Sequence, residues 1–310
     1  MPEINYWGLA PFIILCGVAT LILLFDLVLG KSEKVLLAWL GSASLLSAGA
    51  MMFLLKPGPA RLAVSAFGGM LTFDRVFFFS GIVIIFSGLG VLLMSRQPLR
   101  GGDLSVGEYY SLLLFSVFGM LLLAASNDLL IIFINIELLS LSLYALAAME
   151  KGDPRATEAA LKYFLLGSFA GAFMVLGAAF LYGATGTTKL AVIAERLVAT
   201  GTGANHWAEI GVVLLLVGFA FKLTVVPFHM YAPDVYDGAP TPITALIATG
   251  TKVAGFAALW HTLAALLDRP EILQRASLGL ALAAVLSMII GNVVAIAQTH
   301  LKRMLAYSSI

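Results

Sequence analysis

Long apolar segments of about twenty residues recur along the sequence, and this recurrence limits the chain to a membrane-spanning fold. Of the 310 residues, 61% are hydrophobic and only 11% are charged. A helix of that length matches the hydrocarbon thickness of a bilayer, where only helices and closed barrels satisfy their backbone groups. The first apolar run begins near Tyr6 without a basic segment before it, which predicts a retained span rather than a signal peptide.

Hydrophobic windows predict nine spans and the start of another helix after His300. The predicted fold is therefore all-α, a polytopic transmembrane helical bundle of about nine to ten spans. Residues 187–200 carry apolar side chains at helical spacing, which predicts an amphipathic helix on the membrane surface. The predicted spans are Tyr6–Leu29, Val35–Leu55, Arg75–Met94, Tyr109–Ala125, Asp128–Met149, Ala159–Tyr182, Ala208–Tyr231, Pro242–Leu267 and Ala276–Gln298.

The seventh span contains two residues that are costly inside a membrane. Lys222 follows an apolar run, and Pro227 stands five residues after it. A lysine at bilayer depth costs roughly 2.5–3.5 kcal/mol on insertion scales, and a proline leaves one carbonyl without its helical partner. Because a break is tolerated where protein or a hydrated cavity covers the freed backbone, we predict a discontinuous helix hinged at Pro227, with Lys222 facing water. The alternative is a proline kink with a lysine that snorkels to the interface.

Two further charged residues, Glu137 and Lys252, lie near the middle of the fifth and eighth spans. A carboxylate about 6 Å from Lys222, at an effective dielectric near 20, would interact with it by about 3 kcal/mol. Protonation of Glu137 would weaken Lys222 as a base, and Lys222 could then release its proton toward Lys252. The pattern favours a proton relay through these three residues. The alternative is a static ion pair that only fixes helix packing.

Small and polar residues surround these charges at helical spacing. Ser140 and Tyr144 share the helical face of Glu137, three and seven residues after it. Thr241 and Thr249 are predicted to give Lys252 a polar stripe on its own face, while Gly255 permits a neighbouring helix to approach. The spacing of Gly167 and Gly171 predicts helix packing rather than a site.

Histidine and aspartate residues near the break have less specific roles. His229 and His261 could both titrate near neutral pH and are possible members of the relay. For each of them, the alternative is a hydrogen-bonded interfacial histidine. Asp234 and Asp237 lie in residues 232–240, predicted to be the loop between the seventh and eighth spans, where solvated acids are ordinary.

Composition excludes several classes of site and partner. Cys16 is the only cysteine, which excludes an intrachain disulfide and any iron–sulfur or zinc site built on cysteine pairs. We predict no metal and no cofactor-binding residues in this chain. The net charge of +1 gives no electrostatic argument for nucleic acid. Lysine and arginine residues outside the spans slightly favour one side, which predicts a periplasmic N-terminus in a cell inner membrane.

Four stretches carry a resemblance to a known family. They are PFHMYAPDVYDGAPTPITA after the lysine-bearing helix, INIELLSLSLYAL around Glu137, ATGTKVAGF around Lys252, and the final LKRMLAYSSI. Together they resemble the antiporter-like membrane subunits of NADH-quinone oxidoreductase, respiratory complex I, and PDVYDGAPTP is most similar to the subunit N family. Subunits L and M and the Mrp-type antiporter subunits share the plan. The family's charged axis corresponds to Glu137, Lys222 and Lys252.

The resemblance implies a proton-translocating subunit that couples quinone reduction elsewhere in the complex to proton transfer within this chain. It implies an enzyme only as part of that translocase: NAD, FMN, iron–sulfur clusters and quinone belong to the complex, and the partners are other membrane subunits and the lipid bilayer. An Mrp-like cation/proton antiporter subunit and a proton-silent scaffold are the alternatives.

The family plan also predicts how the chain is divided. The predicted parts are N-terminal helices over residues 1–108, a first five-helix repeat with a proton half-channel over 109–267, and the start of a second repeat over 268–310. The family has a second broken helix with its own lysine, so we expect this chain to be truncated at its C-terminal end.

Overall fold

The computed structural model describes residues 6–30, 34–54, 64–95, 106–150, 152–199, 206–265 and 270–310. Over these residues the chain forms a helical bundle with one short hairpin. In chain order the elements are α1 Tyr6–Val28, α2 Val35–Leu54, β1 Val64–Ala66, β2 Leu71–Phe73, α3 Arg75–Met94, α4 Val106–Ala125, α5 Leu129–Ala147, α6 Pro154–Thr185, α7 Leu190–Ala199, α8 His206–Lys222, α9 Ala232–Gly238, α10 Thr241–Ala248, α11 Gly250–Ala265, α12 Pro270–Ile296 and α13 Leu301–Ser309.

The described helices confirm a polytopic membrane bundle. Eight helical stretches in these ranges are long and apolar enough to cross a bilayer, with α10 and α11 counted as one. The helix α8, with 17 residues, is slightly shorter and belongs to the predicted broken span. Large apolar side chains point outward; Phe79, Phe86 and Phe169 are 64–76% exposed. Such an apolar exterior suits lipid and not water.

Aspartate caps fix where several helices begin. Asp74 accepts a hydrogen bond from a backbone N–H in the first turn of α3, and Asp128 does the same for α5. Asp153 caps α6, and Pro154 occupies the first helical position, where its missing N–H has no effect. The same helix ends at Gly186, which has a φ of 67°. These ends follow directly from local sequence.

A short hairpin is added to the predicted all-α fold between α2 and α3. Strands β1 and β2 pair antiparallel, with Ser65 opposite Thr72. The connecting turn needs positive φ angles at Gly68 and Gly69, which glycine adopts without strain. The Asn127 N–H donates to the Met70 carbonyl, so the hairpin packs on the connection between α4 and α5.

Helices α6 and α8 pack with their backbones close together. A Cβ atom on Gly177 would lie 2.7 Å from the carbonyl oxygen of Gly211, and one on Gly218 would lie 2.8 Å from the Met174 Cβ. Only glycine permits an approach this close. The contact fixes the position of α8 and therefore of Lys222 at its end.

Two regions differ in detail from the sequence prediction. Residues 232–240 were predicted as a loop, but most of them form α9, which has Pro233 in its first turn. The eighth span is interrupted at Thr249, although α10 and α11 together form the apolar stretch Thr241–Ala265. The predicted amphipathic helix is α7, in which Leu190 and Ile193 are buried. The division into residues 1–108, 109–267 and 268–310 stays a prediction.

Candidate functional site

The helix α8 ends inside the bundle, at Lys222, five residues before Pro227. The Val225 N–H donates to the Ala220 carbonyl at 2.8 Å, and the Thr224 N–H donates to the Phe221 carbonyl at 3.0 Å. This pair of bonds is a Schellman motif, which closes a helix through one residue in the left-handed conformation. Here that residue is Thr224, with a φ of 57°. The predicted discontinuity is therefore confirmed, and the turn itself begins before the proline.

Side chains of neighbouring elements satisfy the backbone that the break frees. The Leu223 carbonyl accepts a hydrogen bond from Lys252 Nζ at 2.9 Å. The Val226 N–H donates to Ser287 Oγ of α12 at 3.0 Å. The Tyr231 hydroxyl donates to the Phe221 carbonyl at 3.0 Å. Protein thus covers these groups, as a break at membrane depth requires.

Lys222 is held within the protein and does not snorkel. Only 3% of it is exposed, and its Nζ donates to Ser140 Oγ of α5 at 2.9 Å. The same ammonium lies 5.8 Å from the ring centroid of Tyr163, which stacks on Tyr231. A desolvated cation over an aromatic face gains about 2 kcal/mol. The hydrogen bond and the aromatic ring together offset part of the free-energy cost of burying the charge.

A small cavity lies beside Lys222, which the sequence predicted to face water. Its volume is about 10 Å³, which is room for roughly one water molecule. Ser140, Tyr144 and Gly171 line it, together with Lys222. Gly167 lines it too, so the two glycines predicted only for helix packing also shape this cavity.

Glu137 lies on the other side of the cavity wall and is half-buried. A Cβ atom on Gly171 would lie 2.6 Å from Glu137 Oε1, so the carboxylate packs directly against this glycine of the cavity lining. Among the described residues, no salt bridge within 4.0 Å joins Glu137 to Lys222. The two groups therefore do not form a contact ion pair.

Lys252 reaches from α11 to the end of α8. Its Nζ donates to the Leu223 carbonyl and to the Thr224 hydroxyl. The ammonium therefore lies at the negative end of the α8 dipole. Gly255, one turn later, permits this contact because a Cβ there would lie 2.9 Å from a Leu223 methyl group, as predicted. The predicted stripe from Thr241 and Thr249 is wrong: both are exposed, and the Thr249 hydroxyl donates to the Ala245 carbonyl within its own helix.

The two histidines lie apart from the lysines. His229 Nδ1 is buried, and within the described ranges it has no hydrogen-bond partner. His261 Nε2 lies 3.2 Å from Asp74 Oδ2, at the start of α3, beside a cavity of about 610 Å³ that Asn127 and Glu195 also line. Partial burial raises the pKa of Asp74, but hydrogen bonds from His261 and a backbone N–H outweigh it and leave the pKa below its usual value. A relay role for either histidine stays a prediction.

Asp234 is paired and not simply solvated. Its carboxylate binds Lys162 of α6 at 2.6 Å and Arg303 of α13 at 2.8 Å. Lys302 donates to the Asp237 carbonyl at 3.4 Å. These contacts tie α9 to the helices on either side and take no part in the lysine site.

Sequence reasoning missed three residues that shape the site: Thr224, Tyr163 and Ser287. A threonine two residues after a buried lysine and three before a proline is a weak signal of a helix end. The other two come from distant helices and give no signal in the sequence. Among the residues that the structure describes, no three His, Cys, Asp or Glu side chains group as metal ligands would.

The arrangement suits proton exchange. One carboxylate and two amines lie on three helices, and each amine contacts a hydroxyl group. A hydroxyl group both donates and accepts hydrogen bonds, so it can accept one from a charged lysine and donate one to a neutral lysine.

Comparison with protein families identifies a family whose model covers this site. A family model described as NADH:quinone oxidoreductase/Mrp antiporter, transmembrane, matches residues 126–310. This range contains Glu137, the broken α8 and both lysines.

Relatives extend the similarity over nearly the whole chain. NADH-quinone oxidoreductase subunit N of Trichlorobacter lovleyi is 41% identical over 99% of this chain and 62% of its own length. F(420)H(2) dehydrogenase subunit N of Methanosarcina mazei is 39% identical over 100% of this chain and 62% of its own length. A chain of respiratory complex I from Thermus thermophilus is 34% identical with a TM-score of 0.78, covering 96% of this chain and 61% of that one. The chain thus spans about six tenths of the length of these relatives.

Proposed function

Because the chain belongs to the NADH:quinone oxidoreductase/Mrp antiporter transmembrane family, we propose that it is a proton-translocating membrane-arm subunit of an NADH-quinone oxidoreductase. In this role it couples quinone reduction elsewhere in the complex to proton transfer along Glu137, Lys222 and Lys252. The chain is an enzyme only as a part of that translocase.

The observation that carries the proposal is the pair of buried lysines at the end of α8. Both are at least nine-tenths buried, and each is held by a hydroxyl group. Buried lysines in a membrane are expensive and mark ion or proton pathways. A scaffold could fill the same space with apolar side chains, so the retained charges favour transport.

The redox chemistry belongs to the partner subunits. NAD, FMN, iron–sulfur clusters and quinone would lie in the rest of the complex, since we assign no cofactor site to this chain. Its neighbours would be other antiporter-like and small membrane subunits and the bilayer. We place it in the cell inner membrane with a periplasmic N-terminus. The name of the M. mazei relative indicates that the electron donor can differ between such complexes.

The proposal is tested in membrane vesicles that carry the assembled complex. NADH oxidation and NADH-driven proton uptake are recorded together for Glu137→Gln, Lys222→Met and Lys252→Met. We expect proton uptake to fall roughly tenfold or more in each lysine variant, because a positioned proton-transfer group typically contributes at least that much. The matched control is Lys189→Met, which removes a lysine that binds the Gly68 carbonyl outside the spans.

Two outcomes would contradict the proposal. Unchanged proton uptake in fully assembled Lys222→Met complex would favour a scaffold in which buried ions only fix packing. Equal losses in Lys222→Met and Lys189→Met would show that assembly, and not the site, is affected.

An Mrp-like cation/proton antiporter subunit is the second candidate, because the description of the matching family model includes that class. Copurification with flavin and iron–sulfur subunits would favour the oxidoreductase. Cation-driven proton exchange in vesicles without NADH would favour the antiporter.

A further inference from the structure

The left-handed residue that closes α8 is a threonine, although glycine is the usual residue there. Thr224 has a φ of 57°, a conformation that a β-branched side chain rarely adopts. Glycine would relieve the strain and close the same motif. The strained backbone therefore indicates that the Thr224 side chain has a role that glycine cannot supply.

That role is seen in the contacts of the hydroxyl group. Thr224 Oγ1 accepts a hydrogen bond from Lys252 Nζ and donates to the Leu223 carbonyl at 2.6 Å. Lys252 also donates to that carbonyl, at 2.9 Å. The lysine, the hydroxyl and the carbonyl form a closed triangle at the end of α8.

The other buried lysine also binds a hydroxyl group, although it does not itself contact the carbonyl behind that hydroxyl. Lys222 Nζ donates to Ser140 Oγ at 2.9 Å, and the Ser140 hydroxyl donates to the Ile136 carbonyl. In both places a hydroxyl stands between an ammonium group and a backbone carbonyl. The repetition on two separate helices argues against chance.

We propose that Thr224 is a positioning residue for Lys252, and that its hydroxyl turns between two partners as the lysine gains and loses a proton. While Lys252 is charged, the hydroxyl accepts from Nζ and donates to the Leu223 carbonyl. When Lys252 is neutral, the hydroxyl rotates about its Cβ–Oγ bond and donates to the nitrogen lone pair. The hydrogens that remain on the Lys252 amine still donate to the Leu223 carbonyl.

The Thr224 proton stays on the threonine throughout, so the proton that moves is the one on Lys252. Both states of the lysine remain hydrogen-bonded in a buried site, where an unpaired polar group is costly. The inference rests on the proposed function, since it requires Lys252 to change its protonation state.

Among the described residues, Lys222 on α8 is the charged group that acts on Lys252 electrostatically, and the two ammonium charges repel each other. Asp74 and Glu195 line the cavity around His261, at the far end of α11. Glu108 lies in the first turn of α4, and α11 packs against that helix at Met120, about 18 Å further along. Besides burial and the charge of Lys222, the contacts that hold the Lys252 ammonium are those of the Thr224 hydroxyl and the Leu223 carbonyl.

Three substitutions separate the hydroxyl from the strained backbone. Thr224→Val keeps the branched shape and the strain but removes the hydroxyl. Thr224→Ser keeps the hydroxyl, and Thr224→Gly removes both the hydroxyl and the strain. NADH-driven proton uptake by the assembled complex is measured across pH for each variant and for the unchanged protein.

We expect the alkaline limb of the pH profile to move about one pH unit lower in Thr224→Val and Thr224→Gly. The hydroxyl binds the charged amine more strongly than the neutral amine, so its loss reduces the proton affinity of Lys252 about tenfold, which is one pH unit. Thr224→Ser should retain the original profile. If Thr224 had a purely structural role, the Thr224→Gly profile should not shift, because glycine removes the strain and closes the same motif.

Identical profiles for the valine and serine variants would overturn the inference, as would an unshifted glycine variant. If the valine variant does not assemble, the comparison of serine with glycine decides alone. Lys252→Met separates the two proposals: normal proton uptake in that variant contradicts the proposed function. Lost uptake there, with an unshifted Thr224→Gly profile, contradicts only the role of Thr224.

Discussion

The contact between α6 and α8 predicts different effects on stability for two glycine-to-alanine changes in α6. In Gly177→Ala the new Cβ would lie 2.7 Å from the Gly211 carbonyl oxygen and 2.8 Å from the Leu215 nitrogen. Both are backbone atoms, so no side chain can rotate away. Ordinary contact begins at 3.4 Å, so the helices must separate by about 0.7 Å in a close-packed interior.

Gly183→Ala supplies the matched control. Nothing lies within 4 Å of a Cβ at that position of α6. Both changes gain helix propensity, about 1 kcal/mol for glycine to alanine. The difference between the two variants therefore isolates the steric effect, which for overpacking is about 1–3 kcal/mol.

Thermal unfolding of the purified complex, followed through this subunit, measures the difference. We expect Gly177→Ala to unfold at a lower temperature than Gly183→Ala, which should equal or slightly exceed the unchanged protein. Proton uptake should fall only in Gly177→Ala, because the displaced helix carries Lys222 away from Ser140. Equal unfolding temperatures for the two variants would refute the close backbone packing on which the position of Lys222 depends.

Substitutions at three further positions test the surroundings of the site by thermal unfolding. Asp74→Asn should keep the helix cap and lose only the charge facing His261, so Asp74→Ala should be about 1 kcal/mol less stable than Asp74→Asn. The pKa of Asp74 is below 3.8 in the folded protein, so its negative charge stabilises the fold at pH values above 3.8. The stability that this charge adds relative to Asp74→Asn should disappear as the pH falls through the pKa of Asp74 in the folded protein. Ser287→Ala should cost about 1–3 kcal/mol by leaving the Val226 N–H unpaired, while Ser287→Thr should cost less. Asp234→Asn should cost less than about 1 kcal/mol and nothing at high salt, because its basic partners are partly exposed.

The sequence predicts those parts of the fold that depend on local chemistry. The long apolar runs predict the spans because a bilayer requires twenty apolar residues in a helix. The sixth span was predicted from Ala159, but the Asp153 cap and Pro154 begin α6 five residues earlier, while the expected break near Pro227 is found. Gly255 was correctly assigned to a close helix contact because a small residue beside a buried charge admits a neighbour.

Contacts between distant residues could not be predicted in this way. His261 pairs with Asp74, 187 residues earlier in the chain, and nothing in the local sequence indicates that contact. The Thr249 hydroxyl was expected to face Lys252, but a threonine in a helix can bond to the carbonyl four residues before it, which removes it from the site. Such choices depend on which helix packs alongside, and hydrophobic periodicity alone does not settle that.

The break in α8 and the lysine in α11 stabilise each other, which explains how two costly features occur together. The break leaves the Leu223 carbonyl without a helical donor, and Lys252 needs an acceptor inside the bundle. Their hydrogen bond at 2.9 Å satisfies both. Replacing Lys252 with methionine should therefore cost stability as well as proton uptake, by about 1 kcal/mol for one lost hydrogen bond, since the carbonyl keeps only the Thr224 hydroxyl as a donor. Thermal unfolding of Lys252→Met at the same or a higher temperature than the unchanged protein would show that the break does not depend on the lysine.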